Sequence, residues 1–162
     1  MADVTITATS VLKGTVAQAA DVKVVESLFT RIAENIITDG TLLSAVTLTR
    51  GQVVYRDTSV SPAVLRLAQC DGTAAESVAY GFVLGDVGAG QPVLVQTGGP
   101  ITPGGTLVVG MPYALSANAG AICPVGDLVS TNKFTLIGWA STTTILQMTI
   151  INSQTALGSD IT

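Results

Sequence analysis

From Gly40 onward, no apolar run in this chain extends more than a few residues before glycine, proline, aspartate or threonine interrupts it. Runs this short leave no room for long helices, and their β-branched residues suit a pleated, half-buried surface. Val53-Val54-Tyr55-Arg56-Asp57 follows the turn Arg50-Gly51-Gln52, and residues 63–68 alternate before Cys70-Asp71-Gly72. Further strands are predicted at 45–48, 77–84, 91–96, 107–109, 111–116 and 134–140, with 144–151 closing the series. Gly88-Ala89-Gly90, Pro100 and Pro103-Gly104-Gly105 supply turns between them. Strands at about 8–12-residue spacing predict an all-β fold: a single-domain β-sandwich or jelly-roll, or a small barrel. Aromatics make up only 4% of the chain, so the core must be built from valine, isoleucine, leucine and alanine.

The first forty residues read differently. Residues 4–8 alternate like a strand, and residues 21–37 carry the one convincing helical pattern. Val22, Val25, Phe29, Ile32 and Ile36 form its apolar stripe, while Lys23, Glu26, Arg31 and Glu34 take much of the remaining surface. Asp21 can cap this N-terminal amphipathic helix, and Asp39-Gly40 can stop it. The helix is expected either to pack on a neighbouring subunit or to cover the open end of its own core. The expected organisation is one domain: a strand and helical arm over 1–40, then a β domain over 41–162.

Charge narrows the chemistry. Between Val87 and Ser159 the only carboxylate or amine side chains are Asp127 and Lys133, and the chain has no histidine. Acid–base catalysis needs groups that titrate near neutrality, so this composition points to a building block, not an enzyme. The net charge is −4 and the few lysines are scattered, which argues against nucleic acid as a partner. No apolar run reaches the length of a membrane span, so the mean hydropathy of +0.57 is better met by burial between subunits, and no membrane partner is expected. The first residues lack the basic leader and apolar stretch of a signal peptide, so folding in a reducing cytosol is expected. Cys70 and Cys123 lie far apart with no CxxC and no histidine; two buried free thiols are expected, with a disulfide left open.

The remaining motifs have plain readings. Gly85-Asp86-Val87-Gly88-Ala89-Gly90 suggests a phosphate loop, but Gln91-Pro92 and a β-branched run follow where a helix N-terminus is needed, so it reads as a turn. Asp57, Asp71 and Asp86 each sit beside turn residues and match no calcium loop. Serine nucleophiles have no histidine base. Tyr113 and Trp139 are expected to be large core fillers. No catalytic, cofactor-binding or metal-binding residue is assigned, and no cofactor is expected.

Read in order, several segments resemble the capsid cement (decoration) proteins of tailed bacteriophages. They include Leu48-Thr49-Arg50-Gly51-Gln52-Val53-Val54-Tyr55-Arg56-Asp57, Leu67-Ala68-Gln69-Cys70-Asp71-Gly72-Thr73-Ala74-Ala75 and Gly90-Gln91-Pro92-Val93-Leu94-Val95-Gln96. Gly110-Met111-Pro112-Tyr113-Ala114-Leu115-Ser116 and Leu136-Ile137-Gly138-Trp139-Ala140-Ser141 continue the pattern. With the first strand, the resemblance covers most of 46–151; the 21–37 segment departs from it, standing where a short linker is expected. The resemblance implies a virion protein made in the host cytoplasm that clips onto the capsid exterior and bridges major capsid protein subunits. It further implies a homo-oligomer, with a trimer favoured over a dimer. The alternative is a phage fibre-head or receptor-binding module recognising host surface glycans; a cell-wall hydrolase ranks third.

Overall fold

The computed structural model describes residues 42–157 and the backbone of a two-residue strand at Ile36–Ile37, all within one unit, Asn35–Thr162. The strands are β1 (Ile36–Ile37), β2 (Leu43–Ser44), β3 (Val53–Asp57), β4 (Val64–Leu67), β5 (Gly81–Val83) and β6 (Val95–Gln96). They continue with β7 (Gly99–Ile101), β8 (Pro112–Leu115), β9 (Ile122–Pro124), β10 (Lys133–Ala140) and β11 (Leu146–Ala156). A single 3-10 turn at Val125–Asp127 follows β9, and no α-helix lies among the described residues.

The strands form two sheets, a six-stranded one in the order β1-β6-β5-β3-β4-β2 and a five-stranded one in the order β7-β11-β10-β8-β9. All pairings are antiparallel except β2 with β4. Alternation explains why β3 is apolar on both faces. Val53 and Tyr55 point into a core shared between the sheets with Phe82, Tyr113, Leu115, Ile137 and Leu146. Val54 points the other way, into a second cluster with Leu42, Leu48, Leu65, Val83, Val93 and Val95.

That second cluster exists because the six-stranded sheet curls until its ends meet. Leu43 in β2 bridges Pro92, the Ser44 amide donates to the Gln91 carbonyl at 2.9 Å, and the Val93 amide donates to the Leu42 carbonyl at 3.1 Å. The chain from 91 into β6 therefore lies between β5 on one side and β1 and β2 on the other. Curling in this way satisfies edge groups that an open sheet would leave exposed.

Polar side chains fasten the two sheets together. The buried Thr135 hydroxyl donates to the Ser77 carbonyl at 2.5 Å. The Asn152 amide answers both backbone groups of Ala79, accepting from its N–H at 2.9 Å and donating to its carbonyl at 3.2 Å. Among the described residues, every buried side-chain nitrogen and oxygen has a partner.

The strands predicted at 53–57, 63–68, 111–116, 134–140 and 144–151 coincide with β3, β4, β8, β10 and β11 to within a few residues, though β11 runs on to Ala156. Several expectations need correction. The strand predicted at 45–48 is a bend with one isolated bridge at Leu48, the strand forming instead at Leu43–Ser44, and the strand predicted at 77–84 shortens to Gly81–Val83 because a turn runs through Ser77. Residues 107–109 form extended chain and a turn, not a strand, because Leu107 is tied to the Thr143 carbonyl at 2.8 Å and Met111 to the Val108 carbonyl at 3.0 Å. β7 and β9 were not anticipated: Pro100 in β7 read as a turn and no strand was predicted around Pro124 in β9, yet both strands lie at sheet edges, where a missing N–H costs little. The predicted helix cannot extend to residue 37, because Ile36–Ile37 pairs with Val95–Gln96 as a strand. The remainder of that helix and the strand predicted at 4–8 lie outside the described residues.

Candidate interaction surface

On the outer face of the five-stranded sheet, Pro100, Gln147, Trp139 and Pro112 stand in one cross-strand rung spanning β7, β11, β10 and β8. Residues directly opposite each other share a face, so the rung is one contiguous strip. Trp139 is 48% exposed, and neither the rung nor the next one, Ile151 opposite Leu136, contains a charge.

This placement corrects the expectation that Trp139 fills the core. Simple alternation from the inward-facing Thr135 and Ile137 would send Trp139 inward as well. A register shift lies between Leu136 and Gly138: against β8 the extra residue is in β10, against β11 it is in β11, and the faces of β10 reverse beyond it. Ala140 therefore points in and Trp139 points out. Gly138 permits this: a Cβ there would lie 2.1 Å from the Gln147 carbonyl oxygen. An isolated glycine within a strand is the signal from which the bulge could have been read. Tyr113 does fill the core, and its hydroxyl accepts the Val108 amide at 3.0 Å.

That hydrogen bond holds a second part of the surface in place. The turn from Val108 to Met111 closes with the 3.0 Å bond between its ends, and Gly110 supplies the positive φ of 79° that its third position requires. The Gly110 amide donates to the Ala140 carbonyl at 2.8 Å and the Ala140 amide donates to the Met111 carbonyl at 3.0 Å, so the turn lies beside Trp139. Val108, Val109 and Met111 are 56%, 59% and 37% exposed. On the other flank, the β10–β11 hairpin carries Ser141, Thr142 and Thr144, with Thr142 Oγ1 accepting the Ile145 amide at 2.9 Å and Gln147 Nε2 donating to Ser141 Oγ at 3.3 Å.

The charged groups lie elsewhere. Of the nine charged side chains in the described residues, Arg50, Arg56, Asp57, Arg66, Asp71, Glu76 and Asp86 belong to the stretch that builds the six-stranded sheet; Asp127 lies in the 3-10 turn after β9, and Lys133 opens β10 and donates to the Gly72 carbonyl. The three aspartates weighed from the sequence stand at separate turns. Asp57 accepts the Ser59 amide at 2.9 Å, the Ser59 hydroxyl at 2.5 Å and Arg66 Nε at 2.8 Å. The Ser59 hydrogen bonds first, and the Arg66 guanidinium after them, hold its carboxyl below the usual aspartate value. Asp86 accepts the Arg50 amide at 2.8 Å, and Asp71 is exposed beside Gly72.

The glycine loop at 85–90 is a turn leading into extended chain: Leu48 and Val87 exchange two 2.9 Å backbone bonds, and Gln91 closes a turn onto Gly88 at 3.3 Å. No helix begins there to present its amides to a phosphate. No group of three potential metal ligands occurs among the described residues. Cys70 is buried and Cys123 half-buried, both as free thiols. Burial, then the proximity of Cys123, pushes the Cys70 thiol up to about 11, and burial raises Cys123 as well, so both are poor nucleophiles at neutral pH. An open depression of about 290 Å³ lined by Arg50, Gln52, Gly104 and Ala119 offers no convergent set of polar groups. Chemically, the outer face of the five-stranded sheet is suited to being covered. Comparison with protein-family models, with curated proteins and with solved structures finds no match for this chain.

Proposed function

We propose that this chain is a structural, non-enzymatic subunit of a tailed-phage virion, a β-sandwich in which one sheet closes as a small barrel. In this reading it binds the outer surface of an assembled capsid as a homo-oligomer and bridges and stabilises major capsid protein subunits. The observation that carries the reading is the uncharged apolar face centred on Trp139. Cores of protein–protein interfaces are depleted in charge and enriched in aromatic residues and methionine, as this face is. The ordered resemblance of the 46–151 segments to cement proteins supplies the partner. Repetition over a shell makes a modest contact at each site sufficient.

One observation favours the alternative fibre-head reading. A half-exposed tryptophan beside the hydroxyl-bearing Ser141–Thr144 hairpin is a surface on which a neutral sugar can stack. Three exposed aliphatic neighbours, Val108, Val109 and Met111, fit a protein partner better. Counting copies by mass analysis of purified particles separates the readings. A cement subunit is present in hundreds of copies and a fibre tip in few; absence from particles contradicts both.

A further inference from the structure

We infer that the Trp139 face is where two copies of this chain meet, outer face against outer face. The inference rests on the oligomeric part of the proposed function and names its surface.

A strand spacing of about 4.8 Å makes the four-strand rung about 20 Å wide, and about seven residues of strand rise separate Ile151 from the level of the Val109 turn, roughly 23 Å, giving roughly 450 Å² per copy. That is below the roughly 800 Å² each partner contributes to a standard interface, so association is expected to be weak and to depend on concentration. Charge selects the occupant. An isologous contact sets the same patch against itself, so whatever charge one side lacks the other lacks too. Covering Trp139 with the stretch that carries Arg56 and the Asp57–Arg66 pair would instead strip those charges of water against a face that offers no charge in return, which is costly. Trp139 is the anchor, a large aromatic at the centre of the patch. Val109, at the tip of a turn fixed from behind by Tyr113, is a preformed knob at its margin.

The test uses the full chain in solution without capsids, so it can fail while capsid binding stands. Sedimentation equilibrium is run over a hundredfold range of concentration on the wild type, Val109→Lys, Trp139→Ser and Val129→Lys. Val129 is an equally exposed aliphatic near the opposite end of β10 and serves as the control. Circular dichroism establishes that each variant is folded. Self-association of the wild type is expected to weaken at least about tenfold in Val109→Lys and Trp139→Ser and to be unchanged in Val129→Lys. Val109→Lys keeps the test sharp even if Trp139→Ser fails to fold. A wild type that stays monomeric throughout, or one whose association Val109→Lys leaves intact, overturns the inference. So does equal weakening by Val129→Lys.

Discussion

The six-stranded sheet buries apolar side chains on both of its faces, whereas the five-stranded sheet buries them on one and exposes much of the other, including Trp139 and Ile151, although Ala114 on that side is covered. The first curls round a cluster of its own, and the stretch that builds it carries seven of the nine described charges, several of them fixed at turns. The second has an outer face with a half-exposed tryptophan and no charge in the rungs of Trp139 and Leu136. Both are made from the same short β-branched runs, so local propensity does not separate them. What separates them is closure: a sheet that meets its own end satisfies itself, and one that does not presents a face. The open face is where a protein with no catalytic constellation among its described residues can do its work.

This contrast can be broken most forcefully in the cores. Phe82→Ala removes the largest fully buried side chain from the core the sheets share and should cost about 3–5 kcal/mol in urea unfolding. Leu65→Ala, in the cluster private to the six-stranded sheet, should cost about 2–5 kcal/mol. Tryptophan fluorescence, which reports the five-stranded sheet, should fall in the same transition as far-ultraviolet dichroism. Separate transitions would mean that the sheets are not one cooperative unit.

Gly138→Ala addresses the open face itself. The new Cβ would meet the Gln147 carbonyl at 2.1 Å, so β10 must shift, at an expected cost of about 1–3 kcal/mol. The emission of Trp139, the chain's single tryptophan, should move as well. An unchanged spectrum would show that the bulge does not set the direction of that side chain.

Titration should act through groups outside the Trp139 rung: Tyr55 in β3, Cys70 in the shared core and Cys123 in β9. Burial raises the Cys70 thiol to about 11 and, with Asp57 and Glu76 nearby, raises Tyr55, while Cys123 adds in the same direction. Raised acids keep their protons in the folded state while the unfolded chain loses them, so stability is intact below the ordinary thiol value and falls as pH rises towards 11. Unfolding by urea between pH 8 and pH 11 should show this decline, and Cys70→Ala should make it shallower. The smallest effect is expected at Asp57. Its carboxyl is held below the ordinary aspartate value, so its contribution is present above that value and disappears as pH falls through the lowered one. Asp57→Asn should remove that acid-side slope and change little at neutral pH, because the pair with Arg66 lies near the surface.

The longer strands were legible in the sequence, because the β-branched run at 53–57, the alternation in 63–68 and the glycine turns between runs are local signals. Edge strands β7 and β9 were hidden by their prolines, and curling of the six-stranded sheet depends on a contact between residues 42–44 and 91–93 that no local pattern announces. The charge-poor half was visible and pointed to a covered surface. Its centre was not, because period-two alternation runs from Thr135 through Ile137 to Trp139, and one bulge at Gly138 reverses the result. A single register shift moved the chain's one tryptophan from the expected core to the surface.

The central claim is that the open face is covered when the protein works. Acrylamide quenching of Trp139 tests it directly, because the single tryptophan lies in the middle of that face. Measured on dilute protein, on concentrated protein and on capsid-bound protein, quenching should be strong in the first and markedly weaker in the other two, with emission shifted to the blue. Strong quenching and unshifted emission in all three states would show that nothing covers the face, and would contradict the account.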